Sequence, residues 1–300
     1  LGAGLNHEAQ AVCSYNGELY AAGFFDTAGI RPASYIAKWD GAEWDAVGGG
    51  IDNIGNVMCT FRGDLVVGGW FTQAGGQNAL SIARWDGNQW HSMKIGMNGL
   101  VYSLCEYNGE LYAGGNFYFA GNEICKGIAK WDGYKWYPVG TGVAGGEAGV
   151  YALEVYNGEL YAGGSFITMN GVTVYNIAKY NGSVWSSVGS GATGANCNSS
   201  KVIVSSLKVG RGELSAGGMP KKRNSKTANK LAKYNSFTWC PVEYGVDLKP
   251  RAMVVFEDEL IINGDFYGAS GVQSSNIVKY TPKTVITGNN NNTETAKQFT

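Results

Sequence analysis

One phrase recurs six times along the chain, and self-repetition at a period in the forties marks an array of like units that bury their faces against one another. In its clearest form the phrase reads Asn108-Gly109-Glu110-Leu111-Tyr112-Ala113-Gly114-Gly115. Its leucine returns as Leu19, Leu65, Leu111, Leu160, Leu214 and Leu260, at intervals of 46, 46, 49, 54 and 46 residues. A second phrase, Ile36-Ala37-Lys38-Trp39-Asp40-Gly41, follows each time and returns from Ile82, Ile128, Ile177, Leu231 and Ile277.

Within the third repeat, Val101 to Tyr107 is an apolar-rich run. Asn108-Gly109 then supplies the left-handed pair that a tight hairpin requires. Glu110 to Phe117 returns as a second strand, and Tyr118 to Lys126 lacks alternation and reads as a loop. Ile128 to Trp131 and Lys135 to Val139 make two further strands about the Asp132-Gly133 turn. No helical period occurs in it. The expected fold is therefore all-β: a six-bladed β-propeller of four-stranded antiparallel blades over residues 1–287. The repeats fall near 10–51, 52–100, 101–149, 150–200, 201–250 and 251–287, and 288–300 reads as a flexible Asn-rich tail or linker. Eight of the nine tryptophans occupy two repeating places, Trp39, Trp85 and Trp131 in the third strand and Trp44, Trp90, Trp136, Trp185 and Trp239 in the fourth. Their rings are expected to fill the gap between neighbouring blades. Leu1-Gly2-Ala3-Gly4-Leu5 matches Val47-Gly48-Gly49-Gly50-Ile51, the end of a fourth strand.

The formal net charge is -1, which argues against nucleic acid as a partner. No apolar run approaches the ~20 residues of a membrane helix, so membrane insertion is not expected. Cys13, Cys59 and Cys105 stand at one repeat position and read as buried small residues on equivalent strands. With two histidines and no Cys-x-x-Cys pair, neither a metal nor a cofactor is expected.

The double glycine, the aromatic-Asp pair and the spaced tryptophan together resemble the kelch-type propeller superfamily. The pattern Leu-Tyr-Ala-Gly-Gly-x-Phe leading to Ile-Ala-x-Trp-Asp-Gly-x-x-Trp is closer still to secreted or surface repeat proteins of Bacteroidota and to fungal cortical marker proteins. This resemblance implies an extracellular or cell-surface recognition or adhesion module within a larger multidomain protein, binding a glycan or protein partner. No enzyme is expected from the motifs. Asp40-Gly41-x-x-Trp44 is similar to a sialidase Asp-box but has its Asp and Gly adjacent, and no nucleophile elbow or phosphate loop appears. The alternatives are a glycan-active enzyme on the same scaffold and an intracellular kelch-like adaptor.

Strand order places the Asn-Gly and Asp-Gly turns on one face of each blade, with the loops between second and third strands and the inter-blade connectors on the other. Variable loops on a rigid scaffold are where binding concentrates. On that second face the aromatic candidates are Trp70, the one tryptophan outside the repeat pattern, with Phe24, Tyr118, Phe119 and Tyr267. Lys221, Lys222, Arg223 and Lys226 form a basic candidate. Nine residues before each repeated leucine stand Gln10, Asn56, Tyr102, Tyr151, Ser205 and Arg251. They are expected to make a mostly polar ring at a channel mouth, with Arg251 its only fixed charge.

Overall fold

The computed structural model describes the chain apart from residues 190, 192–202, 219–229, 235, 237–238, 243–245, 247–249, 265, 270–271, 274–275, 287–292 and 300. Among the described residues it is all-β. Two compact units divide it: Leu1–Ala144 with Ala148–Leu153, and Gly145–Glu147 with Glu154–Thr300.

In the first unit each repeat forms one antiparallel sheet whose strands lie side by side in chain order. The first sheet holds Ala9–Tyr15, Glu18–Gly23, Ile36–Trp39 and Trp44–Ala46. The second holds Gly55–Phe61, Asp64–Gly69, Ile82–Trp85 and Trp90–Ser92, and the third Leu100–Tyr107, Glu110–Asn116, Ile128–Trp131 and Trp136–Pro138. Both turn signals act as read. Asn108 (φ 52) and Gly109 (φ 76) take the consecutive left-handed conformations of the tight hairpin. At the other turn the Asp132 carboxylate accepts from the N–H groups of Tyr134 (2.7 Å) and Lys135 (2.9 Å). Those two bonds hold its pKa below the ordinary carboxylate range.

The tryptophans pair within each sheet, with Trp39–Trp44 rings 5.5 Å apart, Trp85–Trp90 5.4 Å and Trp131–Trp136 5.2 Å. Each fourth-strand indole N–H also bonds a backbone carbonyl 43 residues earlier: Trp44 to Leu1 (3.1 Å), Trp90 to Val47 (3.0 Å) and Trp136 to Met93 (3.0 Å). Leu1–Leu5 thus occupies the place that Val47–Ile51 and Met93–Met97 take in the next sheets. Bridges Leu5↔Ala28, Ile51↔Ala74 and Met97↔Ala120 repeat the same equivalence.

Two features go beyond the sequence reading. The segment between second and third strands is not an irregular loop: Thr27–Ala28 pairs with Arg31–Pro32, Gln73–Ala74 with Gln77–Asn78, and Phe119–Ala120 with Glu123–Ile124. A side chain from the connector pins each ribbon. Asn6 accepts from Thr27 N–H, Asp52 from Thr72 and Gln73, and Asn98 from Tyr118 and Phe119. The second feature is an ion pair 20 residues apart in successive repeats: Glu18–Lys38, Asp64–Arg84 and Glu110–Lys130.

The second unit repeats the plan. Its sheets are the strand Gly149–Tyr156, of which it holds the part from Glu154, with Glu159–Ser165, Ile177–Tyr180 and Trp185–Ser187; then Ser206–Gly210, Glu213–Gly217, Leu231–Tyr234 and Trp239–Pro241; then Pro250–Phe256, Glu259–Gly264, Ile277–Ile286 and Thr293–Phe299. Glu159–Lys179 and Glu213–Lys233 continue the ion pairs. In the last sheet Lys283 prolongs the third strand, and the fourth comes from Thr293–Phe299, a stretch that the sequence reading placed in the tail.

Candidate functional site

The last glycine of the repeated phrase, Gly23, Gly69 and Gly115 in the first unit, is forced by the strand beside it. A Cβ on Gly23 would stand 2.2 Å from the Glu8 carbonyl oxygen, on Gly69 2.1 Å from that of Ile54, and on Gly115 2.0 Å from that of Leu100. The chain crosses the head of the first strand with no room for a side chain. The next residue turns outward. Phe24 and Trp70 hold this place in the first two sheets, 46% and 56% exposed, while Phe25 and Phe71 immediately after them are buried. Their backbone N–H groups bond Glu8 O and Ile54 O, each at 2.8 Å.

Beside these rings lies an irregularity. Pairing between first and second strands slips by one residue at Gln10, Asn56 and Tyr102 in the first unit and at Arg251 in the second. The residue nine before the leucine is therefore a β-bulge, a device that re-aims a side chain. Asn56 Nδ2 donates to Val101 O (3.2 Å), and Gln10 Nε2 stands 3.4 Å from Glu8 Oε2. The Tyr102 ring meets Tyr151 edge-on at 5.2 Å. In the second unit Ser205 Oγ donates to Pro250 O (2.6 Å), and Arg251 is exposed.

Tyr118 and Phe119 are exposed on the ribbon of the third sheet, their rings 5.0 Å apart, with Lys126 Nζ 5.9 Å from the Tyr118 ring. Tyr267 is exposed in the second unit. The structure thus brings Phe24, Trp70, Gln10, Asn56 and Tyr102 together at the heads of the first strands in the first unit. Lys221, Lys222, Arg223 and Lys226 lie outside the described residues.

Six residues before the leucine, Cys13, Cys59 and Cys105 sit on first strands that run side by side, half-buried rather than fully buried. Burial, with Cys13 and Cys105 as neighbours, pushes the Cys59 thiol up, and burial likewise raises Cys13. Cys125, fully buried, is pushed up to about 11. At pH 8 it holds about one thiolate per thousand molecules, and the thiolate is the reactive form. Ellman's reagent at pH 8 is therefore expected to leave Cys59 and Cys125 unmodified on native protein and to label both in guanidinium. Prompt native labelling of either would contradict this burial. In the second unit the equivalent places hold Glu154, Lys208 and Val254, the first two an ion pair at 3.0 Å. Burial raises the Glu154 carboxyl despite Lys208 beside it. Among the described residues no three His, Cys, Asp or Glu side chains are grouped to hold a metal.

Four-stranded antiparallel sheets, each ordered as the chain runs and each repeated in sequence, define the β-propeller class. A family model described as a beta-propeller domain of unknown function, DUF5122, matches residues 63–87, the part of the second repeat from its turn glycine to its Trp-Asp-Gly. No curated protein sequence matches the chain. Among solved structures the chain is similar to YjhT, with 12% identity and a TM-score of 0.55 over 100% of this chain and 99% of that one. It is also similar to the extracellular domain of the BT4673 one-component system from B. thetaiotaomicron, with 12% identity and a TM-score of 0.54 over 92% of this chain. The chain spans about a third (34%) of that domain's length. At such identity these likenesses show the fold.

Proposed function

We propose that the chain is a non-catalytic recognition module, acting outside the cell or at its surface, that binds a glycan or protein partner through the face carrying Phe24 and Trp70. The observation that carries this reading is the contrast at one repeat position: Trp70 is 56% exposed while Phe71 beside it is 1% exposed. A large ring held mostly in water by a fixed backbone lies outside the core, and exposed aromatic anchors are the usual centres of binding energy. The extracellular setting of BT4673 is consistent with the location, and Tyr118 and Phe119 extend the apolar surface on the same unit's ribbons.

The test is a binding screen against glycan and surface-protein arrays, with Trp70→Ala as the matched control. Binding should be saturable and fall about tenfold or more in the variant, while the midpoint of thermal unfolding moves by less than about 1 °C, the surface site lying outside the core. Turnover of any bound glycan would overturn the non-catalytic reading. Binding unchanged in Trp70→Ala would remove this face from it.

A further inference from the structure

We infer that the heads of the first strands in the first unit form a binding crescent for an uncharged carbohydrate chain, with Phe24 and Trp70 as stacking platforms and Gln10, Asn56 and Tyr102 as hydrogen-bonding groups. The inference rests on the recognition reading above and narrows its partner to one chemical class.

Phe24 and Trp70 occupy equivalent positions on adjoining sheets, each tied by its N–H to the residue just ahead of the first strand. Each first strand then bulges within two residues, at Gln10 and Asn56, and the third sheet does the same at Tyr102. Rings and bulge residues are thus set at the same end of strands that lie side by side. A bulge repeated at the same place in successive sheets re-aims a side chain each time.

Chemistry then selects the ligand. The five groups are two aromatic surfaces, two amides and a phenol, and none of them carries charge. An amide offers both a donor and an acceptor, which suits neighbouring sugar hydroxyls, while an aromatic face suits the C–H face of a sugar ring. Asn56 already donates to Val101 O through Nδ2, which fixes the amide in place and turns its Oδ1 acceptor to other work. An anionic polymer would meet the Glu8 carboxylate beside Gln10 with no cation in the crescent to receive it. A protein loop could use the rings, but protein hot spots favour an arginine among the aromatics, and the crescent has none.

The test uses the full chain against immobilised neutral oligosaccharides and their sulfated counterparts, with affinities measured by calorimetry. A neutral oligosaccharide should bind, and its sulfated form at least tenfold more weakly. Trp70→Ala should lose about tenfold and Trp70→Phe only about threefold, since a smaller ring keeps the stacking face. Gln10→Ala, which removes no inter-strand bond, should lose about threefold to tenfold with the unfolding midpoint unchanged. Tighter binding of the sulfated form, or neutral binding indifferent to both Trp70→Ala and Gln10→Ala, would overturn the proposal. Trp70-dependent capture of a protein with no oligosaccharide bound would overturn it while leaving the recognition reading intact.

Discussion

Gly69→Ala is expected to destabilise the protein by about 3 kcal/mol, whereas Gly63→Ala, six residues earlier, is expected to cost about 1 kcal/mol. Both are glycines of the repeated phrase, so the difference isolates the physical cause. At Gly63 the backbone is left-handed (φ +88) but a Cβ would meet nothing within 4 Å, leaving only the conformational penalty. At Gly69 a Cβ would stand 2.1 Å from Ile54 O, 2.9 Å from Gly55 Cα and 3.1 Å from Asn56 N. Every one of those atoms is backbone and none can swing aside, so the strand head or the bulge must move. Chemical denaturation of the two variants checks this. Equal costs would mean that the close crossing is not tight. Gly69→Ala should also weaken binding at Trp70, because relief of the clash displaces the backbone that orients the ring.

Trp136→Ala is expected to cost about 4 kcal/mol, the usual range for emptying a large buried aromatic site. The ring is 2% exposed, packs 5.2 Å from Trp131, and donates its indole N–H to Met93 O at 3.0 Å. Trp136→Phe separates the contributions: it keeps most of the ring and strands the Met93 carbonyl, for which about 1–2 kcal/mol is expected. Unfolding followed by far-ultraviolet circular dichroism would show the order wild type, Phe, Ala. A Phe variant as unstable as Ala would assign the tryptophan's worth to the hydrogen bond rather than to packing.

The scaffold was legible because its signals are local and repeated. Asn108-Gly109 names a hairpin from two adjacent residues, and the tryptophan pairs keep constant spacing. The ribbons were not legible. Phe119–Ala120 and Glu123–Ile124 are two-residue strands with no alternation to detect, and Asn98, which pins them, lies 20 residues upstream. Bulges at Gln10, Asn56 and Tyr102 show in sequence only as a change of residue type at a fixed distance from the leucine; the slip in pairing needs the partner strand. The Glu18–Lys38 pair and its counterparts were written in the phrases but span two of them, so reading each phrase alone missed them. At the site, invariance separated the scaffold from the surface. Phenylalanine recurs at 25, 71, 117, 166 and 266 and is buried at each, while the place before it varies: it faces out at Phe24, Trp70 and Asn116 and is buried at Ser165. Repetition could mark Phe71 as core, but only the fold could show Trp70 in water.

In the first unit the bond from each fourth-strand indole to a carbonyl 43 residues earlier carries an evolutionary consequence. Because Leu1, Val47 and Met93 are spaced 46 residues apart, excising residues 47–92 would bring Met93 to the place of Val47. Trp136 would keep its acceptor, and Met97 would keep its bridge to Ala120. An excision that took Val47 or Met93 without a whole repeat would part Trp90 or Trp136 from its carbonyl. Such a gene can lengthen or shorten by complete words, and that grammar lets a lineage change the number of sheets in one step without redesigning these seams.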